Sequence, residues 1–233
     1  MPVTEGRQEG TLAGTHEGKP GLPRGRSRLP QPAVRASQRE RLLRSVIAAV
    51  SESGYQAVTV ADIVRRARVS RVAFYAHFAD KEDCFLAATA EGRKLMIARI
   101  VSATRGLPAE ACDEEVLRVA CRAYLAFLAG EPAFARVFYV HMPTAGPRAV
   151  DRLDAAPGLF AELNQKWHQR AREHHPEWPS VPSEAYLALA GATDELVRSM
   201  VRSGRADALP ELEETLMSLH LAVLAGRPWP QGT

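Results

Sequence analysis

No apolar run in this 233-residue chain approaches the roughly eighteen residues that a membrane-crossing helix needs. The N-terminal stretch also lacks the apolar centre of a secretory leader. Both absences lead to the expectation of a soluble, cytoplasmic protein. Cysteine is scarce. Cys84, Cys112 and Cys121 are odd in number and at no metal-ligand spacing, which argues for buried free thiols in a reducing compartment. There is no Gly-x-Ser-x-Gly, no glycine-rich phosphate loop and no His-Glu-x-x-His pair, so no catalytic residue is assigned and no enzyme is expected. His174 and His175 stand beside Glu173, but adjacent helical side chains diverge by about 100°, so no metal or cofactor is expected there. Sustained period-two alternation is missing as well, and no strand is predicted.

What is present is helical periodicity and an uneven distribution of charge. Hydrophobic residues make up 46% of the chain, enough for one large or two small domains. Through Glu82 there are 14 Lys and Arg against 8 Asp and Glu, and the remainder carries 16 against 19. A basic front and an acidic body suggest that the front meets a polyanion. Residues 1–34 hold much Gly, Pro and Arg, including Arg24, Arg26 and Arg28, and few large apolar side chains. They are predicted to form a disordered basic arm, either reaching a DNA groove or serving only as a solubilising tail. From Ser37, Leu42, Leu43, Val46, Ile47 and Val50 form an amphipathic stripe that ends at Gly54. Thr59 to Asp62 reads as an N-cap with an acidic third residue, opening a short helix with Val60, Ile63, Val64 and Ala67 inward. Ser70 caps a third helix, predicted to run to about Phe78. Three short helices with a tight turn between the last two make a helix-turn-helix.

The string Val69-Ser70-Arg71-Val72-Ala73-Phe74-Tyr75-Ala76-His77-Phe78, followed by Lys81-Glu82, resembles the signature of the tetracycline-repressor (TetR) family. The preceding Ala61-Asp62-Ile63-Val64 is similar to that family's second helix, and Leu187 to Ala225 is similar to its last two. The resemblance implies an all-α fold: a helix-turn-helix DNA-binding domain over 35–82, a helical ligand-binding and dimerisation domain over 83–226, and a tail over 227–233. Two positions depart from the pattern. Arg68 stands where a turn glycine is usual, which leads to the expectation of a turn outside the left-handed region. Ala73 replaces a threonine whose hydroxyl would be expected to bind a phosphate. Phe74 and Phe78, four apart, are predicted to pack inward and leave Arg71, Val72 and Tyr75 outward. An arginine there can pair with guanine O6 and N7, and a valine can meet a thymine methyl. Thr59, Tyr75, His77 and Lys81 have the reach and donors for phosphate oxygens. With Arg35, Ser70 and Ala73 they complete the candidate DNA-binding set, whose partner would be a duplex operator, expected to be palindromic.

Beyond Asp80 the chain is predicted to be helical over about Lys81–Ala103, Ala109–Ala129, Pro132–His141, Leu159–His174, Ser183–Arg202 and Leu209–Leu224, with an irregular stretch from Pro143 to Pro157. Tyr124, Phe127, Phe138, His141, Phe160 and Trp167 are the candidate ligand-binding residues, because the resemblance implies a cavity for a small apolar or amphipathic effector. The stripes Leu187, Ala190, Leu196, Val197, Met200 and Leu212, Leu216, Leu219, Val223 are expected to join the last two helices to those of a second copy. The expected function is a dimeric, ligand-released repressor. A ligand-independent architectural DNA binder is the alternative.

Overall fold

The computed structural model describes residues 11–13 and 30–229. The Arg24, Arg26 and Arg28 arm therefore lies outside the described residues, as does the end of the tail. Every regular element among the described residues is helical. The chain packs as two units, one of Met1–Lys94 with Gly130–Ala149, the other of Leu95–Ala129 with Val150–Thr233.

The first unit contains α1 (Gln31–Ser53), α2 (Val60–Ala67), α3 (Arg71–Tyr75) and the opening of α4 (Lys81–Arg105). α1 starts six residues before the expected Ser37, because Pro30 and Pro32 at its beginning have φ already set for the first turn. Its inward face, from Leu42 to Val50, is buried, and Gly54 closes it with a φ of 80°. Thr59 and Asp62 form the reciprocal capping box, and Ser70 Oγ accepts the Ala73 N–H at 3.1 Å. α3 is shorter than expected, ending at Tyr75. The turn between α2 and α3 corrects one expectation: Arg68 has φ 51° and ψ 45°, squarely in the left-handed region. The helix needs a left-handed terminator there whatever the side chain, and arginine carries the steric cost.

The later segment of this unit also corrects the sequence reading. The helix expected over Pro132–His141 is α6 (Pro132–Arg136) followed by a wider π turn, Val137–His141. The stretch expected to be irregular contains α7 (Pro147–Asp154), since proline at a helix's first position starts it rather than breaking it. Phe134 packs so close to α4 that a Cβ on Gly92 would lie 2.1 Å from its ring.

The second unit holds the rest of α4, α5 (Asp113–Gly130, but for its last residue), most of α7, and then α8 (Ala156–His174), α9 (Ser183–Arg202) and α10 (Glu213–Leu224). The expected start at Leu209 is a 3-10 segment, Ala206–Leu212, that accommodates Pro210. Tyr186, Leu189 and Leu224 form a buried cluster flanked by Trp167, Leu219 and Val223. Arg122 and Arg118 hold the Glu213 carboxyl below its ordinary range, tying α5 to α10 through contacts of 2.8 and 3.1 Å.

Two substitutions test these backbone constraints. Gly92→Ala should destabilise the protein by about 1–3 kcal/mol through overpacking, despite alanine's better helix propensity. Adding Phe134→Leu should return part of that loss in equilibrium unfolding. At position 68 the glycine variant should be more stable than the alanine variant by about 1 kcal/mol, because only alanine meets the left-handed penalty.

Candidate DNA-binding surface and effector cavity

α3 has one buried edge and one open edge. Phe74 and Phe78 are 0% and 4% exposed, with ring centroids 5.8 Å apart, and Ile63 and Leu42 are buried with them in the same unit. The opposite edge presents Arg71, Val72 and Tyr75 to solvent, Val72 at 82% exposure. An apolar side chain that open on a short helix has no packing role among the described residues. The Arg71 guanidinium lies 5.8 Å from the centre of the Tyr75 ring, which orders both side chains on one face.

The other candidate DNA-binding residues separate into two groups. Arg35 is exposed on α1. His77 touches Gln38 at 3.4 Å, and burial, with the charges of Arg35 and Arg39, lowers its basicity. Arg35 and His77 therefore share one edge of the unit. Thr59 and Ser70 spend their hydroxyls on capping: Thr59 Oγ1 donates to Asp62 at 2.6 Å and accepts the Asp62 N–H at 3.2 Å, while Ser70 accepts from Ala73. Lys81 points its ammonium into the unit, donating to the carbonyls of Tyr55 and Val58 at 2.8 Å each and lying 4.1 Å from the centre of the Tyr55 ring. Two of its three donors hold the α1–α2 connection, leaving one for a phosphate. This anchoring was not legible in the sequence, because the Tyr55 and Val58 carbonyls that receive it come from a connection 23 to 26 residues away.

The effector candidates are divided by the fold. Within the second unit a mostly apolar cavity of about 80 Å³ is lined by Tyr124 and Phe160 together with Leu117, Leu163, Ala190 and Leu216, among others. Its polar walls are Asn164, Thr193, Asp194 and His220. Phe138 and His141 do not line it; they lie on the π turn of the first unit, where the His141 ring approaches Gly54 at 3.8 Å. Trp167 is not a lining residue either. It gives its indole N–H to the Asp113 carbonyl at 3.0 Å and packs on Trp178 at 5.8 Å between ring centroids. Phe127 is half-buried elsewhere on α5. Ala190 and Leu216, expected in a dimer stripe, face this cavity, and Val197 is fully buried, so the protomer itself covers part of that stripe. Asp194 and His220 were missed. Their signal was a polar residue on each otherwise apolar stripe, which reads as an interruption until the helices are assembled.

A capped helix pair carrying an open, basic and apolar reading edge defines a helix-turn-helix DNA-binding protein. Residues 43–88 match the family model for bacterial regulatory proteins of the tetR family, and the chain carries that family's DNA-binding domain. A sequence search of curated proteins found no match. Solved structures share the fold. The fatty acid degradation regulator FadR from Bacillus halodurans aligns with a TM-score of 0.71 at 18% identity, over 83% of this chain and 97% of that one. FadR from Bacillus subtilis, solved in complex with stearoyl-CoA, aligns with a TM-score of 0.68 at 16% identity, over 81% and 98%. A TetR-like regulator from Rhodococcus sp. RHA1 aligns at 0.61 with 23% identity, over 86% and 100%. No helix among the described residues is long and apolar enough to cross a membrane.

Burial lowers the basicity of His77, His141, His168 and His220. An unfolded imidazole takes up a proton near pH 6.5, while these folded rings resist until lower pH. The unfolded state therefore binds more protons below about pH 6.5, and folding stability falls as pH drops from there towards the folded values. Urea midpoints at about pH 7.5 and 5.5 should show this loss, and His220→Gln should make it shallower.

Proposed function

We propose that the protein is a dimeric transcriptional repressor that binds a palindromic duplex operator through α2 and α3 and is released by a small effector bound in the second unit. The single observation that carries the reading is the open edge of α3, where Arg71, Val72 and Tyr75 face solvent over a fully buried Phe74. In this reading Arg71 pairs with a guanine and Val72 meets a thymine methyl. Tyr75, Arg35, His77 and the remaining donor of Lys81 grip phosphates, which sets position without reading sequence. Ala73 has no hydroxyl to offer, but its N–H is already held by Ser70. Thr59 and Ser70 use their hydroxyls to cap α2 and α3 and so act through those helix ends rather than by holding phosphates. The effector cavity is the Tyr124 and Phe160 pocket, and α4, whose residues belong to both units, is the segment through which occupancy reaches Lys81 and α3. The fatty-acid regulators of similar fold support an effector with an apolar portion. A second copy docks on the face of α9 that the protomer leaves open, where Leu187 is 51% exposed.

Operator and random-DNA titrations across a salt series test the reading. Arg71→Ala should lose about 1–3 kcal/mol on the selected operator and little on random DNA. A phosphate contact behaves differently: Tyr75→Phe should weaken both DNAs alike with little change in the salt slope, because a neutral hydroxyl releases no counterion, whereas Arg35→Ala should weaken both and reduce the slope by about one. Equal losses for Arg71→Ala on both DNAs would remove Arg71 from sequence reading. Sedimentation of a monomer at micromolar concentration would remove the dimer.

A further inference from the structure

Two arginines near the start of α1 share one face of the helix. Arg35 and Arg39 are four residues apart and both exposed, a spacing that sets their charges against each other. Neither makes an ion pair among the described residues, and the adjacent Glu40 is engaged by Arg44 at 2.5 Å. The Arg39 guanidinium is instead held 5.6 Å from the centre of the Phe78 ring, and that ring lies 6.2 Å from the imidazole of His77. Gln38, between the two arginines in sequence, meets His77 at 3.4 Å, Oε1 against Nε2. The amide oxygen only accepts, so the neutral ring carries its hydrogen on Nε2 and keeps Nδ1 for a second proton. Burial, and then the charges of Arg35 and Arg39, lower the basicity of this ring. The charged groups at the start of α4 are occupied elsewhere. Asp80 and Asp83 accept the N–H groups of Asp83 and Ala79 at 2.7 and 3.2 Å, and Lys81 turns to the Tyr55 and Val58 carbonyls. Burial keeps the nearby Cys84 thiol protonated.

We propose that Arg39 joins Arg35 and His77 in one phosphate clamp, and that closing this clamp on a DNA backbone phosphate takes up a proton at His77. The inference rests on duplex DNA being the partner of this unit and deepens that reading. Both guanidiniums stay charged throughout the pH range of interest, and the Phe78 ring pre-sets the position of Arg39. In the free protein their repulsion disfavours a third positive charge on the imidazole. A phosphate brings negative charge against all three groups and gives the added N–H an acceptor, so the cationic ring becomes the favoured form. The proton passes from solvent to Nδ1. The ring then donates from both nitrogens, to Gln38 and to the phosphate. His77 is therefore more basic in the complex than in the free protein. Between those two values the complex binds more protons than its separated parts, so affinity rises as pH falls through them. Such a clamp governs grip and not sequence preference, and it acts on any duplex.

Titrations of the full-length protein with operator and random duplexes at about pH 6 and about pH 8, at one ionic strength, test the linkage. The wild-type protein should bind both duplexes at least about threefold more tightly at the lower pH, with a ceiling of about tenfold per protomer for each unit by which the complex raises the His77 pKa. His77→Gln, which cannot take up a proton, should show no such pH dependence. Arg39→Ala, at an exposed position, should weaken both duplexes alike and reduce the salt slope by about one per protomer. The imidazole resonances of His77 should titrate at higher pH in the operator complex than in the free protein. Wild-type affinity that ignores pH, a pH dependence retained by His77→Gln, a salt slope unchanged in Arg39→Ala, or a His77 ring no more basic in the complex would each overturn the clamp while leaving DNA binding intact. A wild-type protein that binds no duplex at either pH would overturn the DNA-binding reading, and the clamp with it.

Discussion

A helix of five residues has no stability of its own. Nucleating a helical turn fixes more dihedral angles than its hydrogen bonds offset, and isolated helices become marginal below about twelve residues. α3 (Arg71–Tyr75) exists because Phe74 and Phe78 are buried beside α1 and α2, and because Ser70 supplies the hydrogen-bond partner missing at its start. The rest of the first unit serves that arrangement. The capping box at Thr59 and Asp62 fixes where α2 begins. Arg68, in the left-handed region, fixes where it ends and aims the chain into α3. Lys81 ties the α1–α2 connection to the first turn of α4. Each device limits the freedom of an element too short to be rigid alone, and the product is an open edge held in a fixed orientation.

The second unit solves a different problem. Its helices are long enough to be stable through packing, and their apolar surfaces meet in the cluster around Tyr186, Leu189 and Leu224. What makes this unit specific is where that packing is incomplete. The cavity has aliphatic and aromatic walls interrupted by Asp194 and His220, which stand on α9 and α10. The buried His220 imidazole has its Nδ1 committed to the Leu216 carbonyl of its own helix, which fixes its tautomer.

The two units also differ in how they use charge. On the first, arginines at the reading edge remain exposed, whereas Arg66 and Arg65 pair with Glu52 and Asp62 and belong to the scaffold. On the second, Arg118 and Arg122 pair with Glu213, and Arg227 with Glu114, consistent with the acidic body read from composition. Surface pairs of this type contribute little individually, typically below about 1 kcal/mol. Their effect here is to fix which arginines are left for a polyanion.

The sequence by itself determined the all-α class, the capping residues, the inward pair Phe74 and Phe78 and the outward Arg71, Val72 and Tyr75. These follow from local periodicity and from side chains that act within three or four residues of themselves. Helix ends at prolines were legible for Ser183–Arg202, yet misread for α7, since the same residue starts or stops a helix depending on what precedes it. Only the tertiary structure decided the rest. It placed Phe138 and His141 with the DNA-binding helices instead of in the cavity, turned Lys81 inward onto two carbonyls, and gave Ala190 and Leu216 to the cavity wall. A stripe of apolar residues states that a helix face must be covered, but not by which partner. That choice is made by contacts between residues distant in the chain, such as Phe134 against Gly92, and no local pattern encodes them.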